Sequence, residues 1–304
     1  DILHIYPMTY DEFLLAKGYE QMVDLLKKKD WETIKLLKSQ YIKVLREYYF
    51  VGGMPEAVKC FIETNDSNQV REIQNNILFS YQKDISKHTP TSESNRINMV
   101  WQSMPSQLVK ENKKFIYGVA KPGGRAKDFE VAIQWLMDAG LVYKAERVKE
   151  PKKPLKLYVD IASFKLFLLD CGLLGAMNET EAKDLLVAEN GMEESKGAFT
   201  ENFVMSQLVA TRDTSVFYYC NDAKLKIDFL IQQDSQIVPI EAKAEENLRS
   251  KSLSSFVSSH PETHGIRFSM SDYREQDWLT NVPLYAVSTY FNNNNNRHFN
   301  NSET

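Results

Sequence analysis

The segment KIDFLIQQDSQIVPIEAK, residues 226–243, is the part of the sequence that indicates the fold most clearly. It contains two apolar, strand-like runs, 226–232 and 237–242, which the polar pair Asp234-Ser235 separates. Two such runs joined by a two-residue turn are typical of a β-hairpin. The sequence therefore predicts two neighbouring antiparallel strands at this point.

Charged residues of this hairpin form a candidate catalytic site. Glu241 and Lys243 are two residues apart, so their side chains leave the same face of the strand. The hairpin brings Asp228 beside Glu241 near one end of the sheet, and Glu201 lies on the helix predicted before the strands. We therefore predict that these four side chains meet.

Three carboxylates and a lysine are typical of a hydrolytic metal site. Carboxylates from adjacent strands can hold Mg²⁺ or Mn²⁺, which polarises a phosphodiester and lowers the pKa of bound water. We predict Glu201, Asp228 and Glu241 as metal ligands and catalytic residues. Lys243 is predicted as a catalytic residue that orients the water or offsets transition-state charge. The alternative is a solvated Glu/Lys surface pair, worth ~0–1 kcal/mol.

The surrounding pattern predicts an α/β unit with a mixed sheet. A helix is expected at 196–212 and another at 252–259, with strands at 216–220 and 265–269.

The region before this unit has the outline of a winged helix. Helices are expected at 95–104, 106–111 and 127–139, strand-like segments at 113–117, 141–148 and 156–159, and an apolar run at 161–175. Helical spacing of apolar residues also predicts helices over 1–50, 56–64 and 67–86. The predicted fold class is α+β: a helical, winged-helix-like N-terminal part, then a restriction-endonuclease-like α/β domain with a mixed central sheet. The predicted divisions are a helical segment at 1–90, a winged-helix-like domain at 91–175, a nuclease-like domain at 190–290 and a disordered Asn-rich tail at 291–304.

Composition sets limits on partners and location. The 304 residues carry a net charge of −4, so no overall positive field attracts nucleic acid or membranes. We expect no transmembrane helix and no signal peptide, and the three widely spaced cysteines fit a reducing cytoplasm.

A local excess of bases lies within 110–160, where twelve Lys and Arg residues face seven Asp and Glu residues. Such a surface favours phosphate contacts with DNA. The alternative is a solvated surface or a protein-contact module. The candidate nucleic-acid-binding residues are Lys113, Lys114, Arg125, Lys127, Arg147, Lys149, Lys152 and Lys153.

The hairpin pattern resembles the PD-(D/E)XK nuclease superfamily, with Glu241-Ala242-Lys243 as the (D/E)XK half and Ile227 where that name has proline. The whole chain also resembles bacterial and archaeal AAA-type ATPases that carry a C-terminal domain of unknown function. The segments that carry this second resemblance are Pro7–Leu14, Tyr49–Val58, Tyr81–Ile85, Phe164–Leu166, Leu169–Leu174 and Gly197–Asn202.

This resemblance implies an ATPase module, in cis or in trans, as a partner. The sequence contains no GxxxxGK[ST] motif, so we expect no ATP site in this chain. Residues 3–15 look like the last piece of such a module. The expected function is a metal-dependent nuclease-like module acting on DNA. The alternatives are a catalytically inactive nuclease fold that binds nucleic acid or a partner protein, and a mechanical accessory domain of an ATPase.

Overall fold

A computed structural model describes residues 4–109, 114–186, 193–212, 215–221, 225–246 and 249–291. The predicted fold class is confirmed: a helical N-terminal region precedes an α/β part built on a mixed sheet. The helices before the sheet are α1 (Tyr10–Ala16), α2 (Glu20–Lys28), α3 (Trp31–Leu36), α4 (Lys38–Val51), α5 (Pro55–Thr64), α6 (Ser67–His88), α7 (Thr91–Leu108), α8 (Tyr117–Ala120) and α9 (Ala126–Asp138).

Strands and further helices alternate in the second half. The strands are β1 (Val142–Val148), β2 (Val159–Leu168), β3 (Phe217–Cys220), β4 (Lys226–Gln233), β5 (Gln236–Ala242), β6 (Gly265–Ser269), β7 (Arg274–Gln276) and β8 (Leu279–Pro283). The helices are α10 (Cys171–Met177), α11 (Ala182–Leu186), α12 (Glu193–Thr211), α13 (Lys251–Ser259) and α14 (Val287–Tyr290).

The eight strands found in the described residues form one sheet in the order β2-β1-β3-β4-β5-β6-β8-β7. The pairs β1/β3, β5/β6 and β6/β8 are parallel, and the remaining neighbours are antiparallel. The first strand predicted for the wing, 141–148, is β1, which pairs with β2 and also with β3. The sheet therefore runs across the predicted boundary between 175 and 190.

The two faces of the sheet carry separate apolar clusters. Phe203 of α12 belongs to a large cluster that includes Phe229 and Ile240. Phe256 of α13 belongs to a smaller cluster that includes Leu230. Successive side chains of a strand point to opposite faces, so α12 covers one face of β4 and β5 and α13 covers the other. The site predicted at these strands therefore lies between two helical layers.

Three local predictions are wrong, and two of them concern the segment before α9. Residues 114–116 form no strand, although Phe115 N–H donates to the Phe164 carbonyl of β2 at 2.8 Å. The helices predicted at 95–104 and 106–111 are one helix as far as the structure describes them: α7 continues through Pro105 to Leu108, and residues 110 and 111 lie outside the described ranges.

The segment 156–159 is mostly a 3-10 helix, Leu155–Tyr158, and β2 begins after it and occupies much of the predicted apolar run. The second half of β2 is buried on both faces, so it lacks the alternation that marks a half-buried strand. Within the described ranges, no helix is long and apolar enough to cross a membrane. The Asn-rich tail after residue 291 and Lys113 lie outside the described residues.

Candidate functional site

The predicted hairpin is confirmed as β4 and β5. Phe229 pairs with Ile240, and Gln233 pairs with Gln236 at the turn. The turn residues Asp234 and Ser235 have φ values of 46° and 62°. Positive φ at both central positions matches the twist of antiparallel strands, and Asp tolerates this region better than most residues.

A β-bulge places Asp228. Phe217 of β3 pairs with Leu230, but Tyr219 pairs with Ile227, so two residues of β4 lie opposite Tyr218. Such an extra residue interrupts the strict alternation of side chains and changes the direction in which one of them points. The Asp228 carboxylate accepts a hydrogen bond from the backbone N–H of Ala242 at 3.0 Å. Asp228 therefore lies against the part of β5 that joins Glu241 to Lys243.

Glu241 is buried, with 8% of its surface exposed. Its Oε1 lies 3.2 Å from Lys243 Nζ, and its Oε2 accepts a hydrogen bond from the Ser250 hydroxyl. Arg267, which pairs with Glu241 on β6, donates from a guanidinium nitrogen to Ser250 Oγ at 2.9 Å. Both carboxylate oxygens of Glu241 are thus held by neighbours, which fixes the side chain.

Lys165 is a member of the site that sequence reasoning missed. It lies on β2, and its Nζ is 3.5 Å from Glu201 Oε2 on α12. Its side chain is 8% exposed, and Nζ lies 5.0 Å from the ring centre of Tyr218. The signal available in the sequence was a lysine inside an apolar run, since a buried lysine needs a partner.

The charges around Asp228 act on one another. Burial raises the pKa of Asp228 to about 6, and the nearby Glu201 carboxylate contributes to the rise. The Lys165 ammonium and the Ala242 N–H lower that pKa, and Glu241 raises it further. A bound cation would relieve this mutual repulsion between the carboxylates.

Two ion pairs contain three of the four predicted site residues, and one of these pairs uses Lys165. Lys243 contacts Glu241, Glu201 contacts Lys165, and Asp228 interacts electrostatically with Glu201, Lys165 and Glu241. Over the residues that the structure describes, no group of three or more His, Cys, Asp or Glu side chains is arranged to hold a metal ion. The donor atoms are carboxylate oxygens, the chemical type that Mg²⁺ and Mn²⁺ prefer.

The candidate nucleic-acid residues fall into two groups. Lys114 precedes α8, while Arg125 and Lys127 are exposed at the start of α9. The other group surrounds the end of the β1/β2 hairpin and consists of Arg147, Lys149, Lys152 and Lys153.

Several bases of the hairpin group have partners. Arg147 Nε is 3.8 Å from Asp160, and Lys152 is 2.7 Å from Glu150. Lys153 donates to the Ser235 carbonyl at 2.6 Å. Lys149 is exposed, so it is the member of this group best placed to meet a phosphate.

Taken together, fold and site define an α+β protein with a mixed sheet and a cluster of acids and bases, of which Lys243 is partly exposed. Two family models match the chain. One, Domain of unknown function (DUF8612), covers residues 42–184, and the other, Domain of unknown function (DUF4143), covers residues 196–287. The candidate residues Glu201, Asp228, Glu241 and Lys243 lie in the second match, and Lys165 lies in the first. No curated protein and no solved structure matches the chain.

Proposed function

We propose that this chain is the C-terminal part of an AAA-type ATP-binding protein and that its α/β part is a metal-dependent nuclease-like domain acting on DNA. The observation that carries the proposal is the position of Asp228. Its carboxylate lies against the Glu241–Lys243 segment of the next strand and within electrostatic reach of Glu201 on the covering helix.

The donor set supports a hard divalent cation. Glu201, Asp228 and Glu241 would hold Mg²⁺ or Mn²⁺ through carboxylate oxygens. When bound, such an ion polarises a phosphodiester and supplies a hydroxide near neutral pH. Lys243 is the better exposed partner of its ion pair, with 40% of its side chain accessible against 11% for Glu241. Its ammonium is therefore placed to meet a phosphate and to stabilise charge that develops on it.

The ATPase connection rests on the second family match. DUF4143 is often found in AAA-associated proteins. ATP hydrolysis is assigned to a partner module, because this sequence contains no P-loop motif. A cytoplasmic setting belongs to the same proposal, since Cys60, Cys171 and Cys220 are free thiols.

A second candidate function is a catalytically inactive nuclease fold that binds nucleic acid or a partner protein. The observation that favours it is the pairing of the carboxylates. Glu201 is paired with Lys165, and Glu241 is paired with Lys243 and Ser250. Ion pairs of this kind offset carboxylate repulsion without a metal.

Cleavage of DNA separates the two candidates. Plasmid and single-stranded DNA are incubated with the purified chain and Mg²⁺ or Mn²⁺. We expect the wild type to cut, and Asp228→Ala and Lys243→Ala to cut about 100-fold more slowly or not at all. Lys59→Ala is the control, because Lys59 is an exposed lysine of α5 that pairs with Glu63.

Binding of DNA that is independent of divalent cations and is not followed by cleavage favours the inactive module. Cleavage that survives both site substitutions rejects this site.

A further inference from the structure

Lys165 contributes a positive charge to the region assigned to the cation. Its side chain is 8% exposed and its Nζ lies 3.5 Å from Glu201 Oε2. The same ammonium attracts the Asp228 carboxylate. Lys165 therefore acts on two of the three carboxylates proposed as metal ligands.

The fold holds this ammonium in place. Lys165 lies on β2, and its Nζ is 5.0 Å from the ring centre of Tyr218 on β3 and 5.9 Å from that of Phe229 on β4. Aromatic faces attract a cation, and this attraction is strongest where water is excluded. The lysine thus has favourable contacts with both rings and with Glu201.

We propose that Lys165 is a built-in counter-ion that competes with a divalent cation for Glu201 and Asp228. This inference rests on the proposed function. One fixed positive charge offsets much of the repulsion that would otherwise draw a cation to the two carboxylates. Cation binding then requires the Lys165–Glu201 ion pair to open. Lys165 is accordingly a residue that sets metal affinity.

Calorimetric titration with Mn²⁺ alone tests this inference without any measurement of activity. Lys165→Met removes the charge and keeps most of the volume, so we expect the Kd for Mn²⁺ to fall about tenfold or more. The matched control is Lys144→Met on the neighbouring strand β1. Lys144 also pairs with a glutamate, Glu146, at 2.8 Å and lies 4.9 Å from the ring centre of Phe164. Its substitution should leave the Kd unchanged.

The outcomes distinguish the inference from the function on which it rests. Tighter Mn²⁺ binding by Lys165→Met supports the inference, because loss of a merely structural contact does not raise affinity. If the wild type binds Mn²⁺ in a manner that Asp228→Asn weakens, and Lys165→Met binds no better, the inference is rejected and the metal site stands. If neither protein binds Mn²⁺, the metal-dependent function itself is rejected. Lys165→Gln, which can still donate to Glu201, takes the place of Lys165→Met should circular dichroism show that the latter is unfolded.

Discussion

Asp170 accepts a hydrogen bond from the backbone N–H of Gly53 at 2.6 Å and so joins the helical N-terminal region to the α/β part. Asp170 is the N-cap of α10, and its other oxygen accepts from the Leu173 N–H at 2.8 Å. The neighbouring Gly52 has a φ of +75°, and the Asp170 carboxylate lies where a Cβ on Gly52 would stand. A glycine is therefore required by both conformation and space.

Gly52→Ala should lower the free energy of unfolding by about 3 kcal/mol or more. The backbone of Gly52, with a φ of 75° and a ψ of −165°, lies in a region that essentially only glycine adopts and that costs a residue with a Cβ about 1–3 kcal/mol. Displacement of a buried carboxylate adds to that cost. Gly18→Ala is the matched control, because Gly18 has a φ of +77° and a methyl group there would have no other group within 4 Å. We expect about 1 kcal/mol there. Equal losses for the two variants in urea denaturation would show that the Asp170 contact contributes nothing.

The stability of the protein should depend on the ionisation of Asp170. Burial raises the pKa of Asp170 to about 6 in the folded protein, from an ordinary value of 3.8. The folded state therefore binds a proton more tightly than the unfolded state, so this group contributes more stability as the pH falls from about 6 towards about 4. We expect the stability of the wild type relative to Asp170→Asn to rise over that window.

The measurement is a series of urea denaturation curves for both proteins at several pH values. Other titrating groups, Asp228 among them, are present in both proteins and cancel in the difference. The Asp170→Asn variant should be less stable throughout, because its amide cannot accept from both the Gly53 and Leu173 N–H groups. A stability difference that stays constant or shrinks between pH 6 and pH 4 would contradict the assignment.

The β4/β5 hairpin could be predicted from the sequence because the residues that determine it lie close together in the chain. Alternation of apolar residues fixes the strands, and Asp234-Ser235 fixes the turn, all within 226–243. The same holds for α9, for which the sequence predicts 127–139 and which spans Ala126–Asp138. Its apolar residues recur at helical spacing, and Gly140 follows it with a φ of +69°.

The position of the Asp228 side chain could not be predicted from the sequence in the same way. It depends on a register shift between β3 and β4 opposite Tyr218, which is a property of the pairing of two separate strands. The pairing of Lys165 with Glu201 joins residues 36 positions apart, through a strand whose buried half lacks alternation. Long-range contacts of this kind determine whether a carboxylate is placed to bind a metal ion or to pair with a lysine.

Asn202 should be essential for the position of α12. Its side-chain oxygen accepts from the Leu168 N–H at 2.8 Å, and its amide nitrogen donates to the Leu168 carbonyl at 3.1 Å. It therefore continues the hydrogen bonding of β2 and ties the helix that carries Glu201 to the strand that carries Lys165. Asn202→Asp keeps the shape but places an acceptor opposite the Leu168 carbonyl, so we expect a loss of about 2–4 kcal/mol in unfolding free energy.

The control for Asn202 is Asn95→Asp, the same substitution at an exposed position of α7. We expect that change to stay within about 0.5 kcal/mol. Thermal and urea unfolding of both variants measure the difference. A loss for Asn202→Asp as small as that of the control would mean that α12 is held by its apolar contacts alone.

The β1/β2 hairpin should supply phosphate contacts if the chain binds DNA. Lys149, Lys152 and Lys153 are exposed at its end. Removing one lysine–phosphate interaction lowers the slope of log K against log salt by about 0.9 for duplex DNA. Replacing the three lysines with alanine should therefore weaken binding and reduce the slope by up to about 3.

The control is the triple replacement of Lys27, Lys28 and Lys59, which are exposed lysines of the helical region. It makes the same change in net charge. Fluorescence anisotropy over a series of salt concentrations measures both slopes, and equal slopes for the two triple variants would assign DNA binding to another surface.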